Sequence, residues 1–241
     1  MFRLDCQSEV ARLVLDRPAA RNAIPAAGWQ ELAGLVDEAG RSSARLLLLS
    51  GAGGSFCAGA DLTDFPALQR DEAARTRFRE GMRAALDRLR ELAIPTIASI
   101  EGPCYGAGVA LAMACDLRLA AASARFAITP AKFGISYPQQ DVHRLVELVG
   151  PGQAARLLFT GLGIDAEEAV RIGLADLGPG EEAEGLVAAI LANAAESLAT
   201  LKRAIRLAAA GKRSDPEQDA RFDALFGGGA LARRLEAPRR K

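Results

Sequence analysis

Apolar residues recur along the first half of the chain at two alternating spacings. VARLVLDRP (10–18) is a short apolar run stopped by proline, the pattern of a strand ending in a turn. AAGWQELAGLVDEAG (26–40) has apolar residues at helical spacing and closes on glycine, which predicts a helix. ARLLLLSGAGGSF (44–56) is apolar at every strand position before it breaks into glycines, and a strand apolar on both faces suits a parallel sheet covered by helices. Residues 67–92 lay alternating charges over a helical apolar stripe. IPTIASIEG (94–102) predicts a further strand. GPCYGAGVALAMACD (102–116) follows as a glycine loop running straight into an alanine-rich helix, and DLRLAAASARFAIT (116–129) as two short strands with a turn. From QQDVHRLVELVG (139–150) onward the spacing is mostly helical, through PGQAARLLFTG (151–161), DAEEAVRIG (165–173) and the long run 181–211. A βαβ first half with a helical last third predicts an α/β core with a helical C-terminal extension. LFGGGA (225–230) reads as a hinge or a loop.

Composition narrows the picture only a little. A length of 241 residues allows one large domain, or one domain with an appendage. Thirty basic residues balance thirty acidic ones, so no general attraction to nucleic acid or to an anionic membrane is expected. The C-terminal RRLEAPRRK is locally basic and reads as a solvated tail ahead of a phosphate contact. Cys6, Cys57, Cys104 and Cys115 are scattered, which predicts buried thiols in a reducing compartment. A zinc site is not expected, because His143 is the only histidine. MFRLDCQSEV is too polar for a signal peptide and no apolar run is long enough to span a bilayer, so a soluble, cytoplasmic protein is expected.

Candidate chemistry lies in two glycine loops. GAGGSFCAGADL (51–62) follows one strand and GPCYGAGVALA (102–112) the next. Each places small residues where backbone must approach a ligand. The second opens a helix, whose first N–H groups lack intrahelical partners and carry the positive end of the dipole. One N–H from each loop converging on a single oxygen would form an oxyanion hole built from main chain. A dinucleotide loop is the rival, but GAGVAL gives only GxGxxL, with no acidic residue closing a strand about twenty residues on. Either loop alone would favour an ordinary tight turn; the pair does not.

On these residues the chain resembles the crotonase, or enoyl-CoA hydratase/isomerase, superfamily. The resemblance covers roughly residues 10–210 and rests on DRPAARNAI (16–24), SGAGGSFCAGADL (50–62), IASIEGPCYGAGVALAMACDLRLAAASARFAI (97–128) and FTGLGIDAEEAVRIGLAD (159–176). It implies a ββα-spiral core over residues 1–190. It also implies a helical region over 191–241 that builds a homotrimer or a dimer of trimers. The substrate would be an acyl-CoA thioester, with coenzyme A entering as part of it and no other cofactor or metal. The oxyanion hole would use the N–H groups of Ala60 and Ala107, the latter replacing the family's middle glycine. Ala20, Arg21, Ala58, Asp61, Leu62 and Thr63 would line the CoA moiety, with Tyr105 and Gly106 as pocket wall.

The superfamily's hydratases use two glutamates, and the resemblance puts them where this chain has Ala110 and Pro130. Without a general acid and base, each worth roughly 10²–10⁴ in rate, ordinary enoyl-CoA hydration is not expected. TPAKFGISYPQQDVHRL (129–145) resembles the methylmalonyl-CoA decarboxylase branch, whose active-site tyrosine falls on Tyr137. That branch carries a histidine at the place of Ala60 and an acid at the place of Ala110, and this chain has neither. Decarboxylation needs no base, so Tyr137 would hold or orient the leaving carboxylate. Asp141 is the rival: a solvated acid near a helix start, or the single acid/base of an isomerase or hydrolase. His143 reads as a hydrogen-bonded structural residue, Lys132 and Arg144 as surface or phosphate contacts, Asp116 as a cap and Trp29 as core. A CoA-binding protein without catalysis remains the alternative from another class.

Overall fold

The computed structural model describes residues 1–236; residues 237–241, the end of the basic RRLEAPRRK run, lie outside the described residues. The chain opens with β1 (Phe2–Asp5), a strand the apolar pattern did not announce, paired antiparallel to β2 (Val10–Leu15). Helix α1 (Gly28–Arg41) and strand β3 (Leu46–Gly51) follow where predicted. The predicted single helix over 67–92 is two, α2 (Phe65–Arg70) and α3 (Glu72–Glu91). Asp71 between them takes an extended conformation and its carboxylate accepts from Ala74 N, so a cap divides the run into two helices.

Strand β4 (Thr96–Ile100) leads into β5 (Pro103–Tyr105), then α4 (Ala107–Ala114), β6 (Leu117–Ala120) and β7 (Arg125–Ala127). Helix α5 (Gln139–Thr160) is kinked at Gly150, where φ is 75°, ahead of Pro151; the sequence placed a boundary there. The chain then runs through β8 (Ile164–Asp165), α6 (Ala166–Arg171), α7 (Ala183–Leu191), α8 (Ala195–Ala209), α9 (Pro216–Phe226) and α10 (Gly229–Glu236). The long helical run predicted over 181–211 is two helices meeting at 107°. The LFGGGA stretch is the junction of α9 and α10.

Two sheets result. The larger has the order β1-β2-β3-β4-β6 and is parallel apart from β1; the smaller has the order β5-β7-β8. The even and odd leucines of β3 explain why that strand is apolar throughout. Leu47 and Leu49 face a core with Trp29, Leu32 and Val36 of α1 and Met82, Leu86 and Leu89 of α3. Leu46 and Leu48 face the other way, onto Val187 of α7. Burial on both sides of a parallel sheet leaves no polar face to alternate with. Trp29 is fully buried, as expected of a core residue. Asp116 caps the sheet, accepting from Thr96 N at 2.8 Å and pairing with Lys202 at 2.7 Å. Cys57, Cys104 and Cys115 are buried and free, and burial pushes the Cys57 and Cys115 thiols up to about 12. Among the described residues no single helix is long and apolar enough to cross a membrane.

Candidate active site

The first loop is held from both sides by backbone. On one side Ala58 N donates to Arg21 O, Ile24 N to Gly59 O and Asp61 N to Ile24 O. On the other, Cys57 N donates to Pro103 O and Tyr105 N to Cys57 O. Successive N–H groups of extended chain alternate in direction. With Gly59 O and Asp61 N both turned to Ile24, the Ala60 N–H faces away from Ile24. It has no acceptor among the described residues. Neither has Ala107 N–H, the first amide of α4, which lies beyond the reach of any intrahelical carbonyl.

Glycines bring the two loops together. A Cβ on Gly59, where φ is 101°, would lie 3.3 Å from Ala107 N and 2.7 Å from Tyr105 O. A Cβ on Gly108 would lie 2.4 Å from Cys57 O. The loops therefore touch backbone to backbone, and no side chain fits between them.

Ala60 and Ala107 both line a cavity of about 550 Å³. Its walls include Ala20, Arg21, Ala58, Ala60, Asp61, Leu62, Tyr105, Gly106, Ala107 and Tyr137, so the structure gathers most of the predicted residues around one space. A larger cleft of about 770 Å³ lies between α1 and α3; neither loop lines it, and Phe78 lines both spaces.

Two predicted residues fall outside the cavity. Thr63 turns back, its N–H and hydroxyl donating to Asp61 at 3.0 and 2.7 Å, so it is a capping partner and not a lining residue. Asp141 does not line it either; it is 4 % exposed and paired with Arg83 at 2.9 Å. The expectation of a solvated helix-start acid is therefore corrected, and a proton shuttle at Asp141 would have to work from outside the cavity's lining. Burial raises the Asp141 carboxyl above its usual range, and the Arg83 guanidinium only partly offsets this.

Two others line the cavity in a different role from the one expected. The carboxylate of Asp61 is engaged by Arg17 and Thr63 and driven down to about 2, chiefly by the Arg17 hydrogen bond. It locks the loop and offers a ligand no free charge. The Tyr137 hydroxyl donates to Gly106 O at 3.0 Å, so its one proton is committed to backbone and not to a leaving carboxylate. Pro130 lines the cavity, and Ala110 is buried in the first turn of α4. Among the described lining residues Asp61 is the one acid.

Sequence reading missed Arg79 and Asn22. Arg79 lines the cavity beside Phe78 and Met82, with no carboxylate partner among the described residues. Its signal, a cation within the apolar face of α3, was lost among that helix's many charges. Asn22, 2 % exposed with φ at 58°, accepts from Arg17 N and donates to Ala52 O and Ser55 O. It braces the turn that holds the first loop, and a single Asn in a turn carries little signal beyond its tolerance of left-handed backbone. Lys132 joins the wall, whereas His143 lies on the surface beside Glu147 and Arg144 bonds to Met113 O and Glu147.

A largely parallel sheet with a second small sheet, and two interlocked glycine loops beside one cavity, define a crotonase-like α/β protein. The chain belongs to the enoyl-CoA hydratase/isomerase family, whose model matches residues 5–222. It is 33 % identical over 232 residues to the Mycobacterium tuberculosis protein named probable enoyl-CoA hydratase echA6, covering 90 % of this chain and 87 % of that one. It is 36 % identical over 173 residues to the short-chain-enoyl-CoA hydratase of Clostridium acetobutylicum, covering 71 % of this chain and 66 % of that one. A Hyphomonas neptunium crystal structure, named for the enoyl-CoA hydratase/isomerase family, superposes with a TM-score of 0.91 at 37 % identity, covering 98 % of this chain and 95 % of that chain.

Proposed function

We propose that this chain acts on an acyl-CoA thioester whose carbonyl oxygen takes up negative charge between the N–H groups of Ala60 and Ala107, without the glutamate pair of the family's hydratases. One observation supports this reading: two amides with no acceptor among the described residues belong to interlocked loops, and both their residues line one cavity. Fixed donors of this kind cost no reorganisation as charge develops. Ala110 and Pro130 occupy the places the resemblance gives to the glutamates.

Decarboxylation of a malonyl-type thioester suits such a site best. The bond to the carboxylate breaks, carbon dioxide leaves, and the electron pair moves into a thioester enolate whose oxygen the two amides hold. Water then protonates the α-carbon. A glutamate at 110 or 130 would repel the substrate carboxylate. Arg21, Arg79 and Lys132 line the cavity as cations that attract both that group and the phosphates of coenzyme A. No cofactor beyond coenzyme A enters this scheme, and a trimer of the family's kind would run at three times the monomer mass in gel filtration.

Purified protein mixed with malonyl-, methylmalonyl- and crotonyl-CoA tests the reading. Loss of carbon dioxide from a malonyl thioester, with crotonyl-CoA hydrated slowly or not at all, is the expected result. Fast crotonyl-CoA hydration would overturn the carboxylate-free mechanism. Thioester binding without turnover would make the chain a CoA-binding protein.

A further inference from the structure

We propose that Tyr137 is a positioning residue that sets the donor strength and direction of the Ala107 amide, acting through the Gly106–Ala107 peptide and not on the substrate. This inference rests on the reading of Ala107 N–H as a donor to the thioester oxygen.

The argument is one of covalent connection. Tyr137 Oη donates to Gly106 O at 3.0 Å. That carbonyl belongs to the same peptide unit as the Ala107 N–H. A hydrogen bond to the oxygen of an amide draws charge from its nitrogen through the shared π system, and chained hydrogen bonds strengthen one another. Proton donation at Gly106 O therefore makes the N–H on the opposite edge of the plane a stronger donor.

The peptide also needs holding. Gly106 has φ 50° and ψ −117°, a conformation that residues with a Cβ adopt only under strain. A Cβ there would meet no atom within 4 Å, so backbone conformation and not lack of space calls for glycine. Gly106 N donates to Ala127 O at 2.8 Å, which fixes the preceding peptide. Gly106 O accepts from Val109 N at 3.0 Å and Ala110 N at 3.3 Å on the helix side, and Tyr137 supplies the third donor. Tyr137 itself is placed by Pro138, whose carbonyl starts α5 by accepting from Asp141 N and Val142 N. Burial, then the charge of Asp141, push the phenol well above its ordinary value, so the hydroxyl keeps its proton.

The test is a vibrational measurement with crotonyl-CoA isotope-labelled at the thioester carbonyl, bound to the intact protein. The wild type is expected to lower the carbonyl stretching frequency. Tyr137→Phe keeps only part of that shift, and a ring-fluorinated tyrosine at 137, a stronger donor, enlarges it. With a thioester that turns over, Tyr137→Phe lowers kcat roughly tenfold, short of the 10²–10³ lost when a donor is deleted, and leaves KM within about twofold. An unchanged shift in the fluorinated variant overturns the proposal even where Tyr137→Phe fails to fold. A raised KM with the shift intact overturns it too, since Tyr137 would then be touching substrate. Absence of any shift in the wild type overturns the underlying reading of Ala107, and this proposal with it.

Discussion

The backbones of Cys57 and Cys104 pair in parallel, Cys57 N donating to Pro103 O and Tyr105 N to Cys57 O. Counting three residues onward along each chain reaches Ala60 and Ala107. The pairing of two buried thiol residues thus sets the register of the two amides. Gly108 is a tight point beside that register, where a Cβ would meet Cys57 O at 2.4 Å and Cys57 Cβ at 2.9 Å. Gly108→Ala must push the loops apart. It is expected to cost about 1–3 kcal/mol, the range for overpacking a close contact. Turnover should fall about 10²-fold, as for a displacement of order 1 Å at a reacting centre. Thermal unfolding and steady-state kinetics on the same preparation check both; normal kinetics in a folded variant would disconnect the register from the chemistry.

Asp141 offers a contrast, an acid near the cavity that is expected to do no chemistry. Asp141→Asn should leave turnover within about threefold, whereas loss of a general acid or base costs roughly 10²–10⁴. Arg83 keeps Asp87 as a partner at 2.8 Å, so it is not stranded. Because burial raises the Asp141 carboxyl above its ordinary 3.8, its favourable contribution is complete below that value and is lost as pH rises through the folded value. Asp141→Asn removes that loss, so its stability relative to wild type should improve as pH rises above 3.8. Denaturant titrations across acidic pH measure this. A 10²-fold drop in kcat would return Asp141 to the catalytic role.

Some of this was written plainly in the chain. The leucines of β3 announced a sheet buried on both faces, and two loops of small residues announced backbone chemistry. Asp71 was harder, since one carboxylate cap splits a helix whose apolar stripe runs on without a break. Strands β5 and β8 were missed because three and two residues carry no periodicity. The first glycine loop and β7 lie alongside β5, and β8 pairs with β7. Asp61 lines the cavity with its charge already taken, while Thr63 and Asp141 do not line it. Spacing puts a polar side chain near a site, but its partner decides whether its charge is free, and Arg17 and Arg83 lie 44 and 58 residues away along the chain.

Arg79 turns the cavity's charge into a specificity test. It is exposed at the rim and has no carboxylate partner among the described residues. Arg79→Ala is expected to raise KM for malonyl-type thioesters about fivefold to tenfold at low salt, the scale of an exposed ion pair of about 1 kcal/mol. KM for crotonyl-CoA, which carries no acyl carboxylate, should stay within about twofold. The difference should shrink as salt is added. Equal losses on both substrates would assign Arg79 to the shared coenzyme A portion.

Arg17 and Asp61 tie the turn at 17–23 to the first loop, and this link predicts an acid sensitivity. Arg17 Nη1 bonds both Asp61 and Ala23 O, while Asp61 also accepts from Thr63 N and Oγ1. The Asp61 carboxyl falls from its ordinary 3.8 to about 2, led by Arg17. For a depressed acid the stabilisation is complete above the ordinary value and drains as pH drops through the folded one. Asp61→Asn keeps an acceptor for Thr63 but loses the charge-assisted bond, at about 1–2 kcal/mol near neutral pH. The stability gap between wild type and Asp61→Asn should therefore hold steady above pH 3.8 and close as pH approaches about 2. A gap that stays constant to the acid end would mean that the carboxylate's charge does not hold the loop. KM should rise in the variant at neutral pH as well, because Ala20 and Arg21 of the tethered turn line the same cavity as Ala60.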